Sequence, residues 1–221
     1  MKKSRKSANA QIKRFNSPED EARFAWLPML LDAYEIIDKG IDIAIRREKR
    51  KTQRRLACSE GCGACCKTHA DIPVYPLELA GIYWFAIEKM TGQARTVLME
   101  QLAGHEGKPP CPFLINEACS IYPVRPVACR QFIVFTKPCG KGEDAFHTRR
   151  EDVLTPLQDF TDQAFFAMLP FYGITKEADR IQAIKNKVLN TRVQNLQECD
   201  WKALAKKMED AGPKTAPGER I

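Results

Sequence analysis

The stretch Cys58-Ser-Glu-Gly-Cys62-Gly-Ala-Cys65-Cys66 places four sulfurs within nine residues. A second group follows at Cys111, Cys119, Cys129 and Cys139, in a segment that also holds Pro112, Pro123, Pro126 and Pro138. Sulfur at this density exceeds what packing needs, and thiolates are soft ligands for zinc, copper(I) and iron–sulfur clusters. Glycines at 61 and 63 flank Cys62, so the backbone can fold back and bring successive ligands toward one point. A C-x2-C step in a glycine turn serves tetrahedral zinc and iron–sulfur centres alike. Cys65 and Cys66 are adjacent, and neighbouring side chains diverge. Either the pair serves two metals, or only one of the two joins the first. Two four-sulfur sites, and one cluster with spare thiols, are both open.

Disulfides would use the same residues, so the compartment matters. The chain has nine cysteines, an odd number, which leaves at least one thiol over in any disulfide scheme. Met1 to Lys6 is basic but is not followed by an apolar stretch, so no secretion signal is read and a cytoplasmic location is expected. Thiols there stay reduced, and clustered cysteines bind metal or do redox chemistry. No apolar run approaches the roughly 20 residues of a membrane-spanning helix, so no membrane association is expected.

Working outward, the 221-residue chain reads as a mainly α protein, a set of helices around an irregular cysteine-rich metal-binding centre with at most one short strand pair. The proline-rich second group excludes a long helix. Gln131–Phe135 is the strand candidate. Residues 1–16 read as a disordered basic tail and 17–57 as an N-terminal helical segment. Residues 58–139 read as the cysteine-cluster module, 140–211 as C-terminal helices packed on it, and 212–221 as a tail. Ser17-Pro18-Glu19-Asp20 is a helix start. Leu27, Leu30, Leu31, Tyr34, Ile37, Ile41 and Ile45 recur at helical spacing, which predicts a helix from Pro28 to about Leu56. Another opens at Pro76, where Glu78 suits the positive end of the helix dipole. Residues 141–150 read as a loop, and 175–208 as helix with Cys199 packed inside it as a small hydrophobe.

The net charge of +7 is uneven: residues 1–14 and 46–55 each contribute +6. Such patches bind nucleic acid or an acidic partner, or are solvated ends favoured by the helix dipole. No aromatic residues are interleaved for base stacking. No phosphate-binding loop, dinucleotide fingerprint or H-E-x-x-H motif is present.

The segment Cys111-Pro-Phe-Leu, continuing to Ile121-Tyr-Pro-Val-Arg-Pro-Val-Ala-Cys129-Arg, carries a more specific signal. Together with the first knot it resembles the YkgJ-type cysteine-cluster family, regarded as zinc- or iron-chelating and named for a CxxCxxCC signature. The likeness covers roughly residues 58–139; here the first interval holds three residues instead of two. The resemblance implies zinc or iron as cofactor, as an ion or within an iron–sulfur cluster. The metal ligands are then sought among Cys58, Cys62, Cys65, Cys66, Cys111, Cys119, Cys129 and Cys139. Arg125 and Arg130 are placed to offset thiolate charge and donate to sulfur. His69, three residues past Cys66, is an alternative donor. An iron–sulfur oxidoreductase, or a methyl-transfer enzyme as for some family members associated with flagellin lysine methylation, is the second reading. A zinc module binding nucleic acid through the basic stretches is the third.

Overall fold

The computed structural model describes residues 14–59 and 61–214. The expected disorder of residues 1–13, their basic charge and the final residues 215–221 lie outside it. Within the first tail, Arg14 pairs with Glu21 at 2.8 Å and Asp32 at 2.7 Å.

The protein is mainly α, as the helical spacing predicts. A short helix α1 (Pro18–Arg23) leads to α2 (Leu27–Thr52), with Pro28 in its first turn. Helix α2 stops four residues before the predicted Leu56, because Gln53 turns left-handed with φ 56. Its apolar stripe, including Leu27, Leu30, Leu31, Tyr34 and Ile37, is buried. Then follow α3 (Ala64–Thr68), strand β1 (Pro73–Val74) and α4 (Pro76–Trp84), which runs on as a π-turn over Phe85–Lys89. Helix α5 spans Gly92–Ala103.

The proline-rich region contains a hairpin, β2 (Leu114–Ile115) with β3 (Ala118–Cys119), then α6 (Val127–Gln131). The strand expected at Gln131–Phe135 is mostly absent. Pro126, which cannot donate its own N–H, starts a helix that consumes Gln131. Only Val134 and Phe135 join ladders, as single bridges to Val153 and Leu56. Residues 141–150 are more ordered than a loop, with Asp144 accepting from the amide of Phe146 at 2.9 Å to cap α7 (Ala145–Thr148).

Helices α8 (Gln158–Met168), α9 (Glu177–Lys185) and α10 (Trp201–Asp210) complete the chain. The continuous helix expected over 175–208 is broken by β4 (Gln194–Asn195), which pairs antiparallel with β1. Asn195 and Asp200 cap the turns on either side, accepting from Gln197 and Ala203 amides. Cys199 therefore sits before α10 instead of within a helix, its sulfur 3.3 Å from the Asn195 carbonyl. Among the described residues the strand content is two two-residue pairs, where at most one pair was expected.

Helix α2 packs along α8 and α10 along α5. Gly40 permits the first contact, since a Cβ there would come within 2.6 Å of Phe160. One main core joins α2, α4, α5, α8 and α10 with Phe113, Ile121 and Val124 from the proline-rich region. A satellite of Val134, Ala145 and Val153 lies beside the cysteines. Among the described residues no helix is long and apolar enough to cross a membrane.

Candidate metal centre

The eight clustered cysteines, which reach from residue 58 to residue 139, line one cavity of about 700 Å³. All nine cysteines of the chain are free thiols. Several local devices deliver them. The Ala57 amide bonds to the Val134 carbonyl at 2.9 Å, and the Val134 amide returns to the Cys58 sulfur at 3.2 Å. Cys62 follows a turn in which Gly61 has φ +77, and its sulfur is exposed.

Gly63 acts differently from Gly61. Its φ is an ordinary −106, but a Cβ there would collide with the Glu117 carbonyl and stand 2.6 Å from Leu114. It lets α3, which bears Cys65 and Cys66, lie against the β2–β3 hairpin. That hairpin turns through Asn116 and Glu117, both at positive φ, and pairs Leu114 with Cys119. The Cys111 amide donates to the Cys66 carbonyl at 2.7 Å, joining the second cysteine group to the first.

Cys129 rides on α6. The start of that helix is held by Glu78, fully buried, whose carboxylate accepts from the Val127 amide at 2.7 Å and from its own helix-capping Tyr75 amide at 3.0 Å. Burial pushes the Glu78 carboxyl up to about 7, while these two amide bonds pull the other way. Cys139 lies beside the Arg149 guanidinium, with Nη2 3.8 Å from the sulfur.

The thiols answer to burial and to each other. Cys58, Cys119 and Cys139 are pushed up by burial, offset respectively by the Val134 amide, by the Ile121 amide with Arg125, and by Arg149. Burial lifts Cys129 well above the ordinary value. Cys65 rises through its hydrogen bond with Cys66, and Cys66 to about 12 through its bond with Cys111. Among the described residues no group of three or more His, Cys, Asp or Glu stands at the mutual spacing of a bound metal ion. The donor set nevertheless fits a soft metal: eight sulfurs face one space, with amide and guanidinium donors placed to stabilise thiolate charge.

The two arginines singled out from sequence part company. Arg125 lines the cavity, lies over the Tyr122 ring at 3.6 Å, and keeps its Nε and Nη1 buried without a hydrogen-bond partner. Arg130 stays out of the cavity lining. Its guanidinium binds Asp38 at 2.7 Å and the carbonyls of Arg125 and Pro123, and it stacks on Tyr34. It braces the Ile-Tyr-Pro-Val-Arg-Pro turn from behind. Arg149, expected in a loop, reaches the Cys139 sulfur from outside the cavity lining. The only hint was its proximity to Cys139.

His69 also faces the cavity, its Nε2 3.3 Å from Asp144, with burial pulling its pKa down. His147 is exposed and 3.9 Å from the same carboxylate.

A cavity lined by eight thiols, with cationic and amide donors beside some of the sulfurs, has the donor chemistry that suits a soft metal. Comparison with family models agrees. Residues 57–152 match the model of the CxxCxxCC family, described as "Putative zinc- or iron-chelating domain". The match extends past Cys139 to include Arg149 and Asp152. No curated protein and no solved structure gives a match.

Proposed function

We propose that this protein chelates zinc or iron in the cavity, through Cys58, Cys62, Cys65, Cys66, Cys111, Cys119, Cys129 and Cys139. The observation that carries this reading is the convergence of all eight on one cavity from segments up to 81 positions apart. Each cysteine has a single side-chain rotation between Cα and sulfur, so a cation can gather the sulfurs without refolding the chain. Arg125, with two unpartnered nitrogens, offsets thiolate charge and donates to sulfur. Eight free thiols suit a reducing compartment, in keeping with a cytoplasmic location.

The size of the cavity favours more than one bare ion. Metal–sulfur bonds are about 2.3 Å long, so one tetrahedral ion fills a small part of the space. An iron–sulfur centre uses more of it. A redox enzyme is the second reading, favoured by the apolar side of the same cavity, where Ile72, Phe132 and Ile133 face the His69–Asp144 pair. Nucleic-acid binding has less support. On the surface of α2 and just beyond it, Arg46 pairs with Asp42, and Arg54 with Glu48 and Asp152, so part of the basic charge is used inside the fold.

The test is anaerobic purification followed by quantification of zinc, iron and acid-labile sulfide per chain. Bound metal that is lost in the Cys62→Ser, Cys65→Ser double variant supports chelation. Sulfide in proportion to iron selects the cluster. Metal-free protein that takes up neither zinc nor iron on reconstitution would falsify the reading.

A further inference from the structure

The eight sulfurs fall into two sets. Cys66, Cys119 and Cys129 pack against the main core, where Cys111 is itself a buried member. Cys58 and Cys139 pack instead against the satellite of Val134, Ala145 and Val153. Backbone bonds hold each set. On the core side the Cys111 amide meets the Cys66 carbonyl, the Leu114 amide meets the Cys111 carbonyl at 3.0 Å, and the hairpin folds Cys119 back over both. On the satellite side Val134 binds both the backbone before Cys58 and the Cys58 sulfur.

Cys62 belongs with Cys58, since its amide donates to the Ser59 carbonyl at 3.1 Å in the turn that follows Cys58. Cys65, unlike Cys66, is not among the side chains packed against the main core. Successive residues on a helix point about 100° apart, so the Cys65–Cys66 step on α3 can send one sulfur to each side.

Resting on the chelation reading, we propose that the cavity holds two four-thiolate metal sites that share the Cys65–Cys66 step. Cys58, Cys62, Cys65 and Cys139 form the satellite site; Cys66, Cys111, Cys119 and Cys129 form the core site. Four thiolates around a divalent ion leave a net charge of about −2 at each site. Each has its own cation: Arg149 at Cys139, with its donor 3.8 Å from the sulfur, and Arg125 at the core site, with its buried unpartnered nitrogens. The two sites differ in exposure. Cys62 opens the satellite site to solvent, whereas Cys111 closes the core site off.

The experiment counts zinc. The metal-free full-length protein is loaded anaerobically with zinc, freed of loosely held ion by a weak chelator, and assayed for zinc per chain. The wild type should keep about two, and the Cys58→Ser, Cys62→Ser variant about one, since those residues lie on the exposed side and leave the main core untouched. Cys139→Ser, single and at the same site, should weaken the same zinc and not the other. One zinc in the wild type overturns the two-site division while leaving chelation intact. Loss of both zincs, or of neither, from the satellite variant also overturns it. No zinc in the wild type overturns the two-site proposal, and uptake of neither zinc nor iron removes the chelation reading itself.

Discussion

The Glu78 carboxylate and the Val127 amide, 2.7 Å apart, tie the first turn of α4 to the first turn of α6. The same carboxylate caps its own helix through Tyr75. One buried side chain thereby fixes the position of the helix that presents Cys129 relative to the main core. A dipole-favoured glutamate at a helix start was legible in the sequence; the second helix it serves was not, because the two amides lie 52 residues apart in the chain.

Glu78→Ala leaves the buried Val127 amide and the half-buried Tyr75 amide without acceptors. Thermal or urea unfolding should show a loss of about 2–4 kcal/mol. Glu78→Gln should recover part of it, since the amide side chain keeps one acceptor oxygen but points an N–H group at the other donor. Equal stability of Glu78→Ala and wild type would contradict the bridging role.

The glycines of the first knot should separate. Gly63→Ala drives a methyl into the Glu117 carbonyl and Leu114, displacing the hairpin that carries Cys119, and should cost about 1–3 kcal/mol. Gly61→Ala meets no atom within 4 Å and suffers only from its positive φ, at about 1 kcal/mol. Paired denaturation curves read the difference, and a larger loss for Gly61→Ala would reverse the assignment of roles.

Arg149 organises residues 135–152 by bonding to Glu143 at 2.7 Å, Asp152 at 2.9 Å, the carbonyls of Phe135 and Lys137, and the Cys139 sulfur. Arg149→Met should speed amide hydrogen exchange across this segment by about tenfold or more, because charge-assisted bonds are the strong ones. Protection unchanged at the amides of Phe135 and Asp152, which bond within this segment, would show that the guanidinium is dispensable.

Thiol pKa values set the pH response. Cys66, raised to about 12 from 9.0, holds its proton in the folded metal-free chain at pH values where the unfolded chain has lost it. Its contribution to stability is therefore full below about pH 9 and is lost as pH rises toward about 12. Metal binding must expel these protons, so affinity for zinc should climb with pH and protons should be released on loading. Urea midpoints at about pH 8 and about pH 10 should fall for the metal-free protein and hold for the loaded one. A parallel fall in both forms would mean that the thiols remain protonated in the loaded state.

The cysteine motifs were readable because their chemistry is local: a glycine turn and the Cys-Pro-Phe-Leu and Ile-Tyr-Pro-Val-Arg-Pro segments advertise themselves by spacing. The apolar stripe of α2 was equally plain. Less visible were features made by contacts across the chain. The β2–β3 hairpin turns on Asn116 and Glu117 at positive φ, and Asn116 without a following glycine is a weak turn signal. Arg130 is held away from the cavity because Asp38, far away on α2, binds its guanidinium. The break in the C-terminal helix arises from pairing of Gln194–Asn195 with Pro73–Val74, a strand partner that no local propensity announces.

The central claim is that the eight cysteines, and not the neighbouring histidines or carboxylates, bind the metal. X-ray absorption at the edge of whichever metal, zinc or iron, accompanies the anaerobically purified protein reads this directly. The account predicts a first shell of sulfur alone, about four atoms at about 2.3 Å per metal. A shell dominated by nitrogen or oxygen near about 2.0–2.1 Å would place the metal on His69, Asp144 or solvent and contradict it.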